Sequence, residues 1–352
     1  MELNNIIFSI SIFCFGFFIS KYLLFILSRS KVNLLNDNQF NKPQAFHEYS
    51  TYRLGGVIIY MLFILSFSYL FFYKDIIFVE YILFGTLFFF LGFADDLKIY
   101  LQPKLRLLLM CIILVTLVIF IEFKIERISF GYLNHLMKID IFALFFVCIC
   151  FLFIINGSNL IDGFNGLLSI HSLIILVILF LINLIYGNNE LAQVLFYTIL
   201  IITIFVKFNF PKAKMFLGDG GAYFIGTLIS VSAIITNNLT PEISSFFFCI
   251  LLFYIFFEVF FSFFRKIFLV GQNPLLPDNK HLHMLLYKFL LAKNKKKLES
   301  NYKVSIYINL AYLIMIIPGV LLIEEGLFCR YYFLLLLIAY TYFYKLLYDI
   351  VR

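Results

Sequence analysis

Long apolar runs separated by short polar interruptions organise the chain from end to end. Eleven runs approach the roughly 20 residues an α-helix needs to cross a bilayer. They lie at about 5–28, 54–73, 76–94, 107–121, 140–155, 166–186, 191–206, 222–236, 244–264, 304–323 and 331–349. The pattern predicts an all-α, polytopic membrane protein with about 10–11 transmembrane helices, built as a single multi-spanning domain with no separate soluble one. Glu2 precedes the first run, which has no basic leader and no small-residue cleavage site, so it reads as a retained span rather than a signal peptide. No internal repeat is visible.

Composition agrees, with 63% hydrophobic and 13% charged residues over 352 positions, too apolar for a soluble domain. The 49 Phe are spread through every span and read as lipid-facing filler or the product of A/T-rich coding. Six Cys lie in or beside apolar runs without a C-x-x-C pair, the pattern of small buried hydrophobes.

Alternating the loops across the membrane separates their charge. Segments 29–53, 95–106, 156–165, 207–221, 265–303 and the C-terminus together hold 20 Lys and Arg, and the opposite loops hold 5. The positive-inside rule makes the first set cytoplasmic, with the N-terminus outside and the C-terminus inside. Lys293, Lys295, Lys296 and Lys297 read as a solvated charge run that would also suit anionic headgroups.

The same alternation sorts the unusual polar residues. Asp95 and Asp96, "NGSNLIDGFNGL" (156–167), "FLGDGG" (216–221) and "DNKHLH" (278–283) all fall on the cytoplasmic side, and the outer loops hold no comparable cluster. A single site assembled from several loop ends would produce this pattern. Asp95, Asp96, Asp162 and Asp219, with flanking amides and two His, offer hard oxygen ligands with few thiolates, which favours Mg²⁺ or Mn²⁺ over zinc. Gly218, Gly220 and Gly221 would let backbone N–H groups approach an anion, and "AYFIG" after them would start a helix whose N-terminus favours phosphate. Asp95 and Asp96 oppose a helix dipole, and a lone Asp inside the bilayer costs about 2.5–3.5 kcal/mol; a bound cation removes both objections. These observations point to phosphate chemistry at a membrane surface.

Taken together, the motifs resemble the polyprenyl-phosphate N-acetylhexosamine-1-phosphate transferases, which include the peptidoglycan phospho-MurNAc-pentapeptide translocase and the GlcNAc-1-phosphate transferases that start O-antigen and related glycans. In "HEYSTYRLGG" (47–56), Thr51, Arg53, Gly55 and Gly56 match the T-P-R-x-G-G segment, with Tyr52 standing where Pro is frequent. Asp95-Asp96 matches the D-D element; Asn156, Asn159, Asp162, Gly163, Gly166 and Leu167 match N-x-x-N-x-x-D-G-x-x-G-L; Gly218-Asp219 matches G-D. Asp278, His281, His283 and Leu285 are similar to the D-x-x-H-x-H-x-L segment of the GlcNAc-type branch, and Leu282 and Met284 interrupt the His run of the peptidoglycan branch.

The resemblance implies transfer of HexNAc-1-phosphate from a UDP-N-acetylhexosamine to undecaprenyl phosphate, at the cytoplasmic face of a bacterial inner membrane, with no role for nucleic acid. It makes Asp219 a direct Mg²⁺ ligand and has Asp95 or Asp96 deprotonate or orient the lipid phosphate and help hold the metal. Asn156, Asn159 and Asp162 would bind nucleotide or brace the metal, and His281 and His283 would contact diphosphate or sugar. Arg53, Lys104 and Arg265 would serve bound phosphates, although an ordinary cytoplasmic positive charge explains the last two equally well. The sugar and the glycan pathway stay open, and a homodimer is compatible, as in some relatives.

Other residues have plainer readings. His171 reads as a packing side chain, Glu258 and Lys21 as intramembrane ionisable groups that could pair or snorkel, and His47 has no assignment. "NGS" at 156 and "NLT" at 238 fit a glycosylation pattern, but the first is predicted cytoplasmic and is discounted. A transporter or flippase for lipid-linked sugars is the rival reading, yet transporters place their polar site near the midplane and often carry repeats. A non-catalytic scaffold does not explain three segments with Asp beside Gly or Asn. A CDP-alcohol phosphatidyltransferase would want D-G-x-x-A-R, and neither a Walker A lysine nor a Rossmann fingerprint is present.

Overall fold

The computed structural model describes residues 3–29, 35–37, 50–271 and 278–352; His47 and the first residues of "HEYSTYRLGG" lie outside them. The helices are α1 Leu3–Arg29, α2 Gly55–Lys74, α3 Val79–Asp96, α4 Pro103–Phe120, α5 Gly131–Leu136, α6 Asp140–Ile161 and α7 Leu167–Ile185. They continue with α8 Asn189–Asn209, α9 Gly218–Leu239, α10 Ser245–Leu251, α11 Phe253–Phe264, α12 Leu282–Asn294, α13 Lys297–Leu321 and α14 Gly326–Val351, with a π-helical turn at Arg265–Val270. Among the described residues nine helices are long and apolar enough to cross a membrane, or ten if α10 and α11, bent by 75°, form one broken span. The predicted span 76–94 corresponds to α3, which has 18 residues but carries Glu80, Asp95 and Asp96. The protein is thus an all-α polytopic membrane protein, with one small addition. Strands β1 Asn36–Asp37, β2 Thr51–Arg53 and β3 Met215–Phe216 form a three-stranded sheet, β1 antiparallel and β3 parallel to β2.

The centre of the bundle is α9, buried along nearly its whole length although it is the least apolar of the long helices. Its composition explains both properties. Gly218, Gly220, Gly221, Ala222, Gly226, Ser230 and Ala233 let neighbouring backbones approach closely, which drives helix association where lipid offers no hydrophobic gradient. Helix α3 packs along it most extensively, with α6, α2 and α7 around it. Helices α1 and α14, by contrast, expose Phe18, Tyr22, Ile338 and Phe343 at the periphery.

Two sequence expectations need correction. The Phe residues are not only lipid-facing: Phe84, Phe88, Phe151, Phe224, Phe247 and Phe253 are fully buried, and Phe84 stacks on Phe151 at 4.8 Å between centroids. Stacked and edge-on rings of this kind fill the core between the helices. Several helices also run further into the polar segments than hydrophobicity predicts. Asn156 and Asn159 lie on the last turns of α6, so the connection to α7 is only 162–166. In the same way α8 extends to Asn209 and α9 begins at Gly218, while the described residues of 265–303 are largely helical. Polar residues end an apolar run on paper, but Gly157 and Ser158 face protein: both are buried, and Gly157 abuts the Ile255 carbonyl.

Candidate active site

The site is built on the first turn of α9. An α-helix starts with N–H groups that have no intrahelical acceptor and with a partial positive charge. The Asp96 carboxylate, from the last residue of α3, accepts the N–H groups of Asp219 (3.0 Å) and Gly220 (2.9 Å). It does for α9 what an N-cap side chain does, but from another helix. This corrects the expectation that phosphate occupies the start of α9: the anion there is Asp96, which is 4% exposed. Gly218 makes room for it, with φ at +80° and a position where a Cβ would lie 2.5 Å from an Asp96 oxygen. Gly92 and Gly56 bring α3 and α2 against the same turn; a Cβ on Gly92 would lie 2.5 Å from the Asp219 carbonyl oxygen, and one on Gly56 would lie 2.5 Å from the Gly221 nitrogen.

Two guanidinium groups bind these acids together. Arg53, on β2, reaches Asp96 at 3.2 Å and Asp37 at 2.8 Å, with Asp219 at 3.9 Å. Burial works against its charge, but the carboxylates of Asp219, Asp37 and Asp96 outweigh burial and hold its pKa above the ordinary arginine value. Arg106, on α4, reaches Asp95 at 2.5 Å and Asp219 at 3.5 Å. Asp219 therefore stands between two cations, at the limit of hydrogen bonding to one and beyond it to the other, with its side chain 28% exposed. Lys104 is exposed in the first turn of α4; the basic residue of this helix that faces the carboxylates is Arg106, which charge counting did not separate from its neighbours. Tyr52, at the position where Pro is frequent, sits on β2 and donates its phenol proton to the Leu27 carbonyl at 2.9 Å, so β2 is tied to the end of α1.

The connection 162–166 joins this cluster from α6. Half-buried Asp162 caps α6. Burial, then the Asp219 carboxylate, raise its pKa well above the carboxylate range, and Arg53 lowers it. Asn156 donates to the Leu152 carbonyl at 2.8 Å, and Asn159 is half-buried one turn later. The connection is braced from behind: Asn301 Oδ1 accepts the Asn165 N–H at 2.9 Å, Asn209 Oδ1 accepts the Gly166 N–H at 2.7 Å, and the Ser305 hydroxyl donates to the Asn165 carbonyl at 2.7 Å. Nothing in the residue spacing pointed to Asn209, Asn301 or Ser305.

A second polar centre is contiguous with the first. Phe164 packs edge-on against His283 at 5.7 Å and at a tilt against Tyr287 at 5.4 Å between centroids. His281 and His283 stack at 5.5 Å. Glu258 of α11 accepts from the Leu282 N–H at 3.0 Å and from the Tyr340 hydroxyl at 2.5 Å, and meets His281 Nδ1 at 3.0 Å. It therefore fixes the start of α12 and one imidazole with a single carboxylate. Burial pushes His283 down to about 3, leaving a neutral ring, with Nδ1 3.2 Å from the Tyr254 hydroxyl. Arg265 is buried in an ion pair with Asp278 and so is not a free cation for phosphate. Burial raises the pKa of Asp278, but Arg265 more than offsets this and holds it below the usual range. His171 lies elsewhere, fully buried with Nδ1 3.0 Å from Asn309 Oδ1 and its ring 4.0 Å from that of Tyr312. Glu258→Ala would strip partners from Leu282, Tyr340 and His281 together. We expect it to destabilise the protein by about 2–5 kcal/mol, read as a lower midpoint in thermal unfolding of the detergent-solubilised protein.

Among the described residues no three His, Cys, Asp or Glu side chains stand close enough to form a ready metal cage. Mg²⁺ seldom needs one: it binds through one or two carboxylates and fills its remaining positions with substrate phosphates and water. Asp219 suits that use, because it is partly exposed and, among the described residues, its side chain is held by long contacts to guanidinium groups. Asp96 does not, since backbone N–H groups and Arg53 already occupy its oxygens.

The chain is similar in sequence to known proteins. The profile of glycosyl transferase family 4 matches residues 78–237, from the start of α3 into the last turn of α9. The chain is 31% identical over 230 residues to an undecaprenyl-phosphate alpha-N-acetylglucosaminyl 1-phosphate transferase of Thermotoga maritima, covering 65% of this chain and 66% of that protein. It is 32% identical over 200 residues to a phospho-N-acetylmuramoyl-pentapeptide-transferase of Dictyoglomus turgidum, covering 54% and 62%. A protein of the same name from Prochlorococcus marinus subsp. pastoris is 30% identical over 311 residues, covering 82% of this chain and 83% of its own length. The first two matches thus span just under two thirds of the relatives and the third most of its length. With the D-D, N-x-x-N-x-x-D-G and G-D segments in order and joined at one end of the bundle, the chain belongs to the polyprenyl-phosphate N-acetylhexosamine-1-phosphate transferase family.

Proposed function

We propose that the protein transfers HexNAc-1-phosphate, with GlcNAc-1-phosphate as the first choice, from a UDP-sugar to undecaprenyl phosphate, the initiating step of a cell-envelope glycan. An oxygen of the lipid phosphate attacks the sugar-bearing phosphorus, the bond to the nucleotide phosphate breaks, and UMP leaves with the negative charge. The observation that carries this reading is the convergence of Asp95, Asp219, Arg53 and Arg106 at one end of the bundle. Two unit charges of like sign about 4 Å apart repel by roughly 4 kcal/mol at an effective dielectric of 20, so bringing two phosphates together needs cations. Arg53 and Arg106 supply two, and a Mg²⁺ or Mn²⁺ ion held by Asp219 would supply the rest as a Lewis acid. Asp95 orients or deprotonates the lipid phosphate, and Asp96 holds the first turn of α9 in register. Asp162, Asn156 and Asn159 bind the nucleotide side, with His281 toward diphosphate or sugar; His283, fully buried against Tyr254, packs behind it and corrects the expectation that it meets substrate. GlcNAc is favoured by the Asp278, His281, His283 spacing and by the GlcNAc transferase among the relatives. The site would face the cytoplasm from the inner membrane of a bacterium.

Purified protein given undecaprenyl phosphate, Mg²⁺ and each of a panel of labelled UDP-HexNAc donors tests the reading. Lipid-diphosphate-sugar and UMP should form with one donor, cease with EDTA and return with Mg²⁺. A folded protein that makes no product with any donor, yet moves labelled lipid-linked sugar across proteoliposomes, would sink it in favour of transport.

A further inference from the structure

Tyr223, one turn into α9, is fully buried, and its hydroxyl has no hydrogen-bond partner among the described residues. Other buried tyrosines are satisfied: Tyr81 pairs with Ser232 at 2.7 Å, Tyr312 donates to the Leu251 carbonyl at 2.5 Å, Tyr340 to Glu258 at 2.5 Å, and Tyr344 to the Lys280 carbonyl at 2.9 Å. An orphaned buried hydroxyl destabilises a fold, and a Phe would fill the same space without that penalty. In a chain this rich in Phe, the oxygen calls for another explanation.

Its position supplies one. Residues four apart share a helix face, and helical side chains tilt toward the N-terminus. The phenol of Tyr223 thus reaches back over the turn that carries Asp219. The Arg106 guanidinium carbon lies 6.0 Å from the centre of its ring. Arg106 is engaged by Asp95 and Asp219. A phosphate that draws this guanidinium onto itself comes within reach of a donor that has had no acceptor.

We propose that the Tyr223 hydroxyl is a hydrogen-bond donor to a non-bridging oxygen of the reacting diphosphate, satisfied only when substrate is bound. The proposal rests on the phosphoryl-transfer reading above. Such donors, placed where charge develops and kept dry, act without reorganisation at the moment of reaction.

Tyr223→Phe separates this from a structural role, because the two predict opposite stability changes. UMP release and thermal unfolding in detergent are measured on wild type and variant. We expect kcat/KM to fall about 100- to 1000-fold while the midpoint of the variant measured without substrate holds or rises. Wild-type turnover with a raised midpoint would overturn the proposal, showing a tolerated orphan. Lost turnover with a lowered midpoint would also overturn it, in favour of packing. A folded wild type that releases no UMP with any UDP-HexNAc would instead overturn the underlying reading, and the proposal with it.

Discussion

Asp219→Asn is expected to lower turnover by about 10³-fold or more and to leave thermal stability near that of wild type, whereas Asp96→Asn should lose both. The two carboxylates lie in one cluster but are held differently. Asp219 is 28% exposed and its contacts to Arg106 and Arg53 are 3.5 and 3.9 Å long, the kind of ion pair that contributes little to folding. Its value lies in presenting negative oxygens to a cation. Asp96 is 3% exposed at its side chain, bonded to Arg53 and to two backbone N–H groups. An Asn there would turn an amide donor toward donors and leave Arg53 short of charge, a loss of about 3–5 kcal/mol for a broken buried pair. Unfolding midpoints and UMP release on the same preparations check both halves. Equal stability of the two variants would refute the division of labour between a capping Asp96 and a ligand Asp219.

Gly92→Ala is expected to damage function strongly although it removes no charge. The new methyl would lie 2.5 Å from the Asp219 carbonyl oxygen and 2.7 Å from the Gly220 nitrogen, both backbone atoms that cannot rotate away. Helices α3 and α9 must then separate, at about 1–3 kcal/mol for overpacking. The larger effect falls on function, because a shift of about 1 Å in positioned groups costs roughly 10²-fold. Gly131→Ala is the control: nothing lies within 4 Å of its added methyl, and wild-type turnover is expected. Should Gly92→Ala turn over like wild type, the close contact of α3 with α9 does not position the site.

Some of the site was legible from residue types alone. Asp95, Asp96, Asp162 and Asp219 stand out because carboxylates beside Gly or Asn at the ends of apolar runs are costly, and alternation of spans places them at one end. Arg106 did not stand out from Lys104, since both satisfy the same charge count; only the direction of the α4 side chains separates them. Glu258 was visible as an ionisable group in a span, but its link to His281 and Leu282 crosses 23 and 24 residues. Asn156 and Asn159 looked like loop residues because hydropathy ends where polarity begins, whereas a helix ends where its backbone loses partners. The glycines of "FLGDGG" announced a close approach to an anion, and the anion proved to be Asp96.

The sequence by itself determined the class of molecule, the approximate number and order of its spans, and the gathering of its acidic motifs at one end. These follow from quantities local to the chain: twenty apolar residues match the thickness of a bilayer, and each further span reverses direction. Only the tertiary structure decided which carboxylate caps α9, which guanidinium groups stand between the acids, and that Arg265 is already paired. Those outcomes depend on distances between helices, such as the contact of Asp96 with Asp219 across 123 residues. Such distances are set by small side chains meeting across α2, α3 and α9, a packing relation that no single stretch of sequence contains.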